Sequence, residues 1–280
     1  MPEMNDRELS EVLRIAREAA VRVRAIYATP FTVEMKGPND PVTIADRQAN
    51  ELICEALTAS FPGDAILAEE SVPDSRGEVA RRARAPRVWY VDPLDGTREF
   101  ADKNGEFAVM IGLAEQGRAT LGVLVLPATG EALAGRVGAG AFVEPEGGAR
   151  RPVVVSPIAD PALATLVTSR SHTPATIGAF ARLVGIGRVV PCGSVGVKVA
   201  RLVLGDAHLY VHGGPGAKLW DTCAPEAVLV AAGGRFTDLD GAPIDYASPE
   251  LGLPNGLIAS NGPLHAAALA AVKATRDAGP

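Results

Sequence analysis

Residues 88–97 read VWYVDPLDGT, and no other stretch constrains the fold as strongly. The apolar run Val88 to Val91 has the length and composition of a buried strand, and the Asp-Pro and Asp-Gly pairs behind it are turn formers expected to end it. Asp92 and Asp95 are thereby expected at a strand end, where a turn brings both carboxylates to one side. Gly96 and Thr97 can offer backbone N–H groups to an anion. A hard cation and a phosphate together would suit such a place. The same residues also describe an ordinary turn leading into a helix cap, so the remaining acids must decide.

At 280 residues the chain can bury a large core, as one big domain or two of ordinary size, and 47% hydrophobic with 21% charged residues is a globular composition. The net charge of −6 comes without a basic block, which argues against a nucleic-acid polymer as partner. A small phosphorylated substrate needs only a local positive site, which bound metal can supply. Acids and arginines run through Met1 to Arg24, and no run has the length of a membrane span, so a cytoplasmic protein without a membrane partner is expected. Cys54, Cys192 and Cys223, an odd number without CxxC spacing, read as reduced, packed thiols. His172, His208, His212 and His265 show no paired ligand spacing, so zinc is not expected.

Apolar residues at helical spacing predict an amphipathic helix over Asp6 to Tyr27. Gly37, Pro38, Asp40 and Pro41 read as a loop into a second helix, Ile44 to Ser60, with Thr43 and Asp46 as cap and first-turn acid. A short strand, Ala65 to Ala68, runs into Glu69 and Glu70, and Val72 to Pro86 reads as an exposed connection. Runs at Phe107 to Leu113, Thr120 to Leu126, Glu131 to Val137 and Gly140 to Val143 suggest an antiparallel meander. Beyond Pro152 strands (Val153 to Ser156, Leu166 to Ser169, Leu209 to His212, Arg235 to Thr237, Leu257 to Ser260) alternate with helices near Pro174 to Val184, at Val195 to Leu204, after Asp221 and after Pro263. Asp221 or Thr222 can cap the third of these, with Pro225 in its first turn. The fold class is α/β, with a soft boundary near Arg150: residues 1–150 carry an antiparallel sheet and most of the acids, and residues 151–280 form a second half across a shared cleft.

Asp46, Glu69, Asp92, Asp95 and Asp221 all fall at element ends, where open α/β sheets gather ligands. An oxygen-only donor set suits magnesium, which keeps several waters for substrate phosphate to replace. Magnesium-dependent hydrolysis of a phosphate ester is the chemistry these residues point to.

KGPNDPVTIAD (Lys36 to Asp46), AEES (Ala68 to Ser71), DPLDGT and WDTCAPEAVLVAAGG (from Trp220) together resemble the inositol monophosphatase superfamily of lithium-sensitive, magnesium-dependent phosphatases, in that family's motif order. The resemblance implies a layered αβαβα fold shared with fructose bisphosphatases. It implies that Glu69, Asp92 and the Leu94 carbonyl hold one Mg2+ ion, and that Asp92 bridges to a second held also by Asp95 and Asp221. A third, weaker ion would sit near Glu69 and Asp46. Asp46, Thr97 and Glu69 would be catalytic, with Thr97 and Asp46 orienting and deprotonating the attacking water while the backbone of Asp95, Gly96 and Thr97 receives the phosphate. Lys36 matches a family lysine near the active site, and Glu70 stands beside the set. A homodimer is implied as well.

SRSH (Ser169 to His172), GSVGVK (Gly193 to Lys198) and WDTCAPE look like the 3'(2'),5'-bisphosphate nucleotidase branch, tied to sulfur assimilation, which removes the 3'-phosphate of adenosine 3',5'-bisphosphate. Gly193, Ser194 and Lys198 at a helix start could bind the second phosphate, Arg170 or His172 could contact phosphate or adenine, and Asp221 borders the substrate. Lys198 as a solvated helix lysine is the plain alternative. An inositol-1-phosphatase or broad sugar-phosphate phosphatase would share the metal ligands without the nucleotide contacts, and a non-catalytic ion- or nucleotide-binding regulator on the same fold is a third reading.

Overall fold

The computed structural model describes residues 7–37, 40–170, 177–214 and 216–277. Helix α1 (Arg7–Tyr27) buries Leu9, Val12, Leu13, Ala16, Ala20 and Val23 along one stripe, as their spacing requires. The segment expected as a loop forms an antiparallel ribbon, β1 (Val33–Gly37) with β2 (Asp40–Thr43), leading directly into α2 (Ile44–Ser60). Thr43 caps α2: its hydroxyl accepts the Ala45 N–H while its own N–H donates to Asp46. Next come β3 (Ala65–Ala68), a 3-10 turn over Glu69–Ser71, α3 (Arg76–Ala83) and β4 (Arg87–Asp95). Helix α3 corrects the reading of 72–86 as mere connection; it is anchored by buried Val79 and Ala83 and capped by Ser75.

After α4 (Thr97–Ala101), strands β5 (Ala108–Glu115), β6 (Arg118–Leu126), β7 (Glu131–Arg136), β8 (Gly140–Glu144) and β9 (Arg151–Val153) complete a seven-stranded sheet in sequence order from β3. Only the β3–β4 pair is parallel; the remainder is an antiparallel meander. β9, which follows residue 150, still belongs to this sheet, and Val154 to Ser156, expected as strand, lie outside it. The second sheet has the order β11-β10-β12-β14-β13, with β10 (Thr165–Ser169), β11 (Arg188–Cys192), β12 (Leu209–His212), β13 (Arg235–Thr237) and β14 (Leu257–Ser260). Helices α5 (Ile177–Val184), α6 (Val195–Leu204), α7 (Leu219–Ala231) and α8 (His265–Asp277) are threaded between these strands or follow them.

Alternating side chains assign the layers. Trp89, Val91, Val109 and Ile111 pack with α1 and α2, while Val88, Tyr90, Met110 and Leu124 pack with α6 and α7. In the smaller sheet Val167, Tyr210 and Ala259 meet α6 and α7 from the other side, and Leu166, Leu209 and Ile258 face α5 and α8. The result is five layers: α1/α2, large sheet, α6/α7, small sheet, α5/α8. Because α6 and α7 are covered on both sides, both read as mostly apolar, with Val199, Leu202, Cys223, Ala227 and Val228 buried. Pro225 lies inside α7 rather than in its first turn, and Lys218, not Asp221 or Thr222, is the N-cap residue.

Candidate active site

The acids meet because element ends meet. β3 and β4 run parallel with Ala68 opposite Val91, so Glu69, one residue beyond β3, comes beside Asp92. β4 does not stop at Asp92 as its turn-forming residues suggest; it continues to Asp95 across a β-bulge. Asp92 pairs with Met110 and Asp95 with Ala108, so three steps along β4 match two along β5. Met110 and Ala108 share a face, and the extra residue therefore puts both aspartates on the same side, toward α6 and α7. Pro93, which would interrupt a regular ladder, is tolerated inside the bulge. The Asp92 carboxylate accepts the Leu94 N–H at 3.0 Å and is only 2% exposed.

Asp46 and Asp221 reach the site by one device. Each is the third residue of its helix and spends one oxygen on the backbone N–H of the cap residue: Thr43 for Asp46 at 2.7 Å and Lys218 for Asp221 at 2.8 Å. Asp46 turns its other oxygen to Thr97, whose hydroxyl donates to it at 2.8 Å and lies 3.1 Å from the Leu94 carbonyl. Thr97 begins α4 after Gly96, held at φ +93°; a Cβ there would lie 2.8 Å from the Glu106 carbonyl, so the turn demands glycine.

Burial and crowding govern the charges. Loss of water, then Glu69, Asp95 and Asp221, push Asp92 well above the usual aspartate range; burial, then Asp95 and Glu69, do the same for Asp221. Glu69 is lifted to about 7 by burial with Glu70 and Asp46 nearby, against the pull of Lys36. Lys36 Nζ lies 3.1 Å from Glu69 and 2.6 Å from Glu70. Asp95 is raised by burial and held down by Ser194 Oγ and the Gly196 N–H at 2.7 Å. An all-oxygen group whose members raise one another's proton affinity is chemically suited to a hard cation. Among the described residues no group of three or more acids, histidines or cysteines is placed closely enough to hold a metal ion by itself.

A cleft of about 830 Å³ is lined by Lys36, Glu69, Asp95, Gly96, Thr97, Gly193, Ser194, Lys198 and Asp221, among others, whereas Asp46 and Asp92 are buried and do not line it. Lys198 is not a solvated surface lysine: it is 3% exposed, its Nζ donates to the Ser194 carbonyl at 2.9 Å and lies over the Tyr210 ring, and burial lowers its pKa. The amides that open α6 are already engaged, Gly196 by Asp95 and Val197 by Ser194 Oγ. Arg170 is outside the cleft lining and grips Glu106, with Nη2 2.9 Å from Oε2. His172 lies outside the described residues. Sequence reasoning gave no site role to Tyr210, His212, Lys218 or Trp220, which also line the cleft, although it weighed His212 as a loop histidine and placed Trp220 in a family motif. Their available signal was adjacency, at the end of β12 and on either side of the start of α7.

A family model described as the inositol monophosphatase family matches residues 5–276. The chain belongs to the inositol monophosphatase family. This family member is 36% identical over 244 residues to the 3'(2'),5'-bisphosphate nucleotidase CysQ of Escherichia coli O157:H7, covering 86% of this chain and 95% of that one. Among solved structures it resembles CysQ from Bacteroides thetaiotaomicron (TM-score 0.75, 28% identity, 92% of this chain and 98% of that one). It also resembles the inositol monophosphatase from Anabaena (TM-score 0.75, 26% identity, 95% of each chain).

Proposed function

We propose that the chain is a magnesium-dependent phosphomonoesterase that hydrolyses adenosine 3',5'-bisphosphate or a close bisphosphate nucleotide, releasing inorganic phosphate. The observation that carries this reading is the convergence of Glu69, Asp92, Asp95 and Asp221 beside a Thr97 hydroxyl bonded to Asp46. Similarity to bisphosphate nucleotidases supports the substrate class. Glu69, Asp92 and the Leu94 carbonyl would hold one Mg2+, and Asp92, Asp95 and Asp221 a second. Bound there, magnesium supplies charge neutralisation for the phosphate and acidification of water.

The chain's own residues hold and move a proton. Thr97 gives its hydrogen to Asp46 and so turns a lone pair toward a water in the cleft. Burial raises the proton affinity of Asp46 above that of an ordinary aspartate, against hydrogen bonds from Thr43 and Thr97, which makes it the better terminal base. Thr97 relays; Asp46 receives. Lys36, beside Glu69 and Glu70, sets positive charge at the cleft edge. Lys198, buried at the cleft wall with its Nζ on the Ser194 carbonyl, braces the turn that holds Asp95.

The Anabaena neighbour favours inositol 1-phosphate as the second reading. Phosphate release with magnesium from the two substrates, compared as kcat/KM, decides. The nucleotide is expected to win by about a hundredfold or more, roughly 3 kcal/mol of transition-state discrimination. The reverse preference would leave the metal chemistry and remove the nucleotide assignment.

A further inference from the structure

Glu106, between α4 and β5, carries a carboxylate that three separate elements share. Its Oε2 accepts the Gly193 N–H at 2.6 Å and Arg170 Nε and Nη2 at 3.1 and 2.9 Å; its Oε1 accepts Arg170 Nη2 at 3.0 Å and Arg201 Nη2 at 3.2 Å. Arg170 follows β10, Gly193 follows β11 and Arg201 belongs to α6. The Glu106 side chain is 14% exposed, and two guanidinium groups balance its charge. Its backbone is fixed as well, donating to Asn104 Oδ1 at 2.9 Å and pressing against Gly96.

The next residue after Gly193 is the unusual one. Ser194 stands at φ +52°, a left-handed conformation that costs a non-glycine residue on the order of 1–3 kcal/mol and persists only where its surroundings hold it. In that conformation Ser194 Oγ donates to Asp95 Oδ2 and accepts the Val197 N–H at 3.0 Å, and the Gly196 N–H reaches the same Asp95 oxygen at 2.7 Å. Gly193 has no slack, since a Cβ there would fall 2.2 Å from Glu99 Cγ. One continuous path of contacts therefore runs from Glu106 through Gly193 and Ser194 to Asp95.

We propose that Glu106 is a positioning residue for Asp95. By holding the Gly193 amide it keeps Ser194 at positive φ, and Ser194, with the Gly196 and Val195 amides, then fixes the Asp95 carboxylate in the orientation in which it would take a cation. Arg170 and Arg201 keep the Glu106 carboxylate facing the turn. The proposal rests on the reading of Asp95 as a metal ligand.

Calorimetric magnesium binding on wild type, Glu106→Gln, Ser194→Ala and the double variant, each also followed through thermal unfolding, tests it. Glutamine keeps the shape but offers one acceptor oxygen where donors approach from two sides. Glu106→Gln and Ser194→Ala should each weaken magnesium binding by about 10–100-fold. The double variant should be little weaker than either, because both act along one path. Wild-type magnesium affinity in Glu106→Gln, with only the unfolding temperature lowered, would reduce the cluster to a structural tie and overturn the proposal, as would additive losses. Should Glu106→Gln not fold, Glu106→Asp, which withdraws the same charge by one methylene, must show the weakening instead. No magnesium binding by wild type would overturn the metal reading itself, a result distinct from binding that Glu106→Gln leaves untouched.

Discussion

At the residue scale, the Thr97 hydroxyl donates to Asp46 and lies near the Leu94 carbonyl, and it is the relay of the proposed mechanism. Thr97→Val keeps the branched shape and removes the relay, so kcat is expected to fall by about 10²–10⁴-fold with KM little changed; a kcat within a fewfold of wild type would remove Thr97 from the proton path. The Asp46 oxygen it leaves unpaired should lower stability by about 1–3 kcal/mol. Gly96→Ala forces a Cβ into the left-handed region and toward the Glu106 carbonyl, and urea unfolding should register a loss of at least about 1–3 kcal/mol. The acids were legible in the sequence because carboxylates at strand ends and helix starts are visible by position alone. Glu106 was not, since its partners Arg170, Gly193 and Arg201 are distant in sequence and only the fold collects them. Lys198 misleads at this scale, because a lysine between valines gives no sign that it is buried with its ammonium over the Tyr210 ring.

At the element scale, periodicity and caps made α1, α2 and α6 readable nearly to the residue. What hid the others has definite causes. Pro and Gly around 37–41 mask a two-stranded ribbon whose β1 is largely exposed and shows no apolar alternation. The arginines of α3 obscure a helix that buries only Val79 and Ala83. β11 is an edge strand containing Pro191, which edge strands tolerate and pattern reading rejects. β4 carries on through Pro93 because a bulge absorbs it. The docking of α8 makes its own prediction. His265 is 2% exposed, its ring nitrogens meet Ser260 Oγ at 2.9 Å and Thr237 Oγ1 at 3.1 Å, and burial together with Arg235 lowers its pKa from 6.5 to about 4. The unfolded chain therefore binds the proton first as pH falls, so this site's stabilising contribution is full above about 6.5 and drains away toward 4. Buried carboxylates of raised proton affinity, Glu69 and Glu226 at about 7 among them, gain stability over the same fall in pH, so the site is read by difference: from pH 7 to pH 5 the urea midpoint of wild type should fall relative to that of His265→Gln, and equal pH dependence would reject the assignment.

At the scale of the whole molecule, five layers bring the carboxyl ends of β3 and β4 against the amino ends of α2 and α7, the place where sheets of this kind gather ligands. The cost is a buried set of like charges. Asp92→Asn keeps the acceptor for the Leu94 N–H and removes one of those charges, so without metal the variant should unfold at the same or higher urea concentration than wild type. A markedly lower midpoint would mean that Asp92 serves the fold rather than a cation. The most direct test of the central claim is phosphate release from adenosine 3',5'-bisphosphate by wild type and Asp92→Asn, each with magnesium and with a chelator. Release by wild type in magnesium alone, abolished in the folded variant, is the result predicted; release that survives chelation or the Asp92 substitution would contradict it.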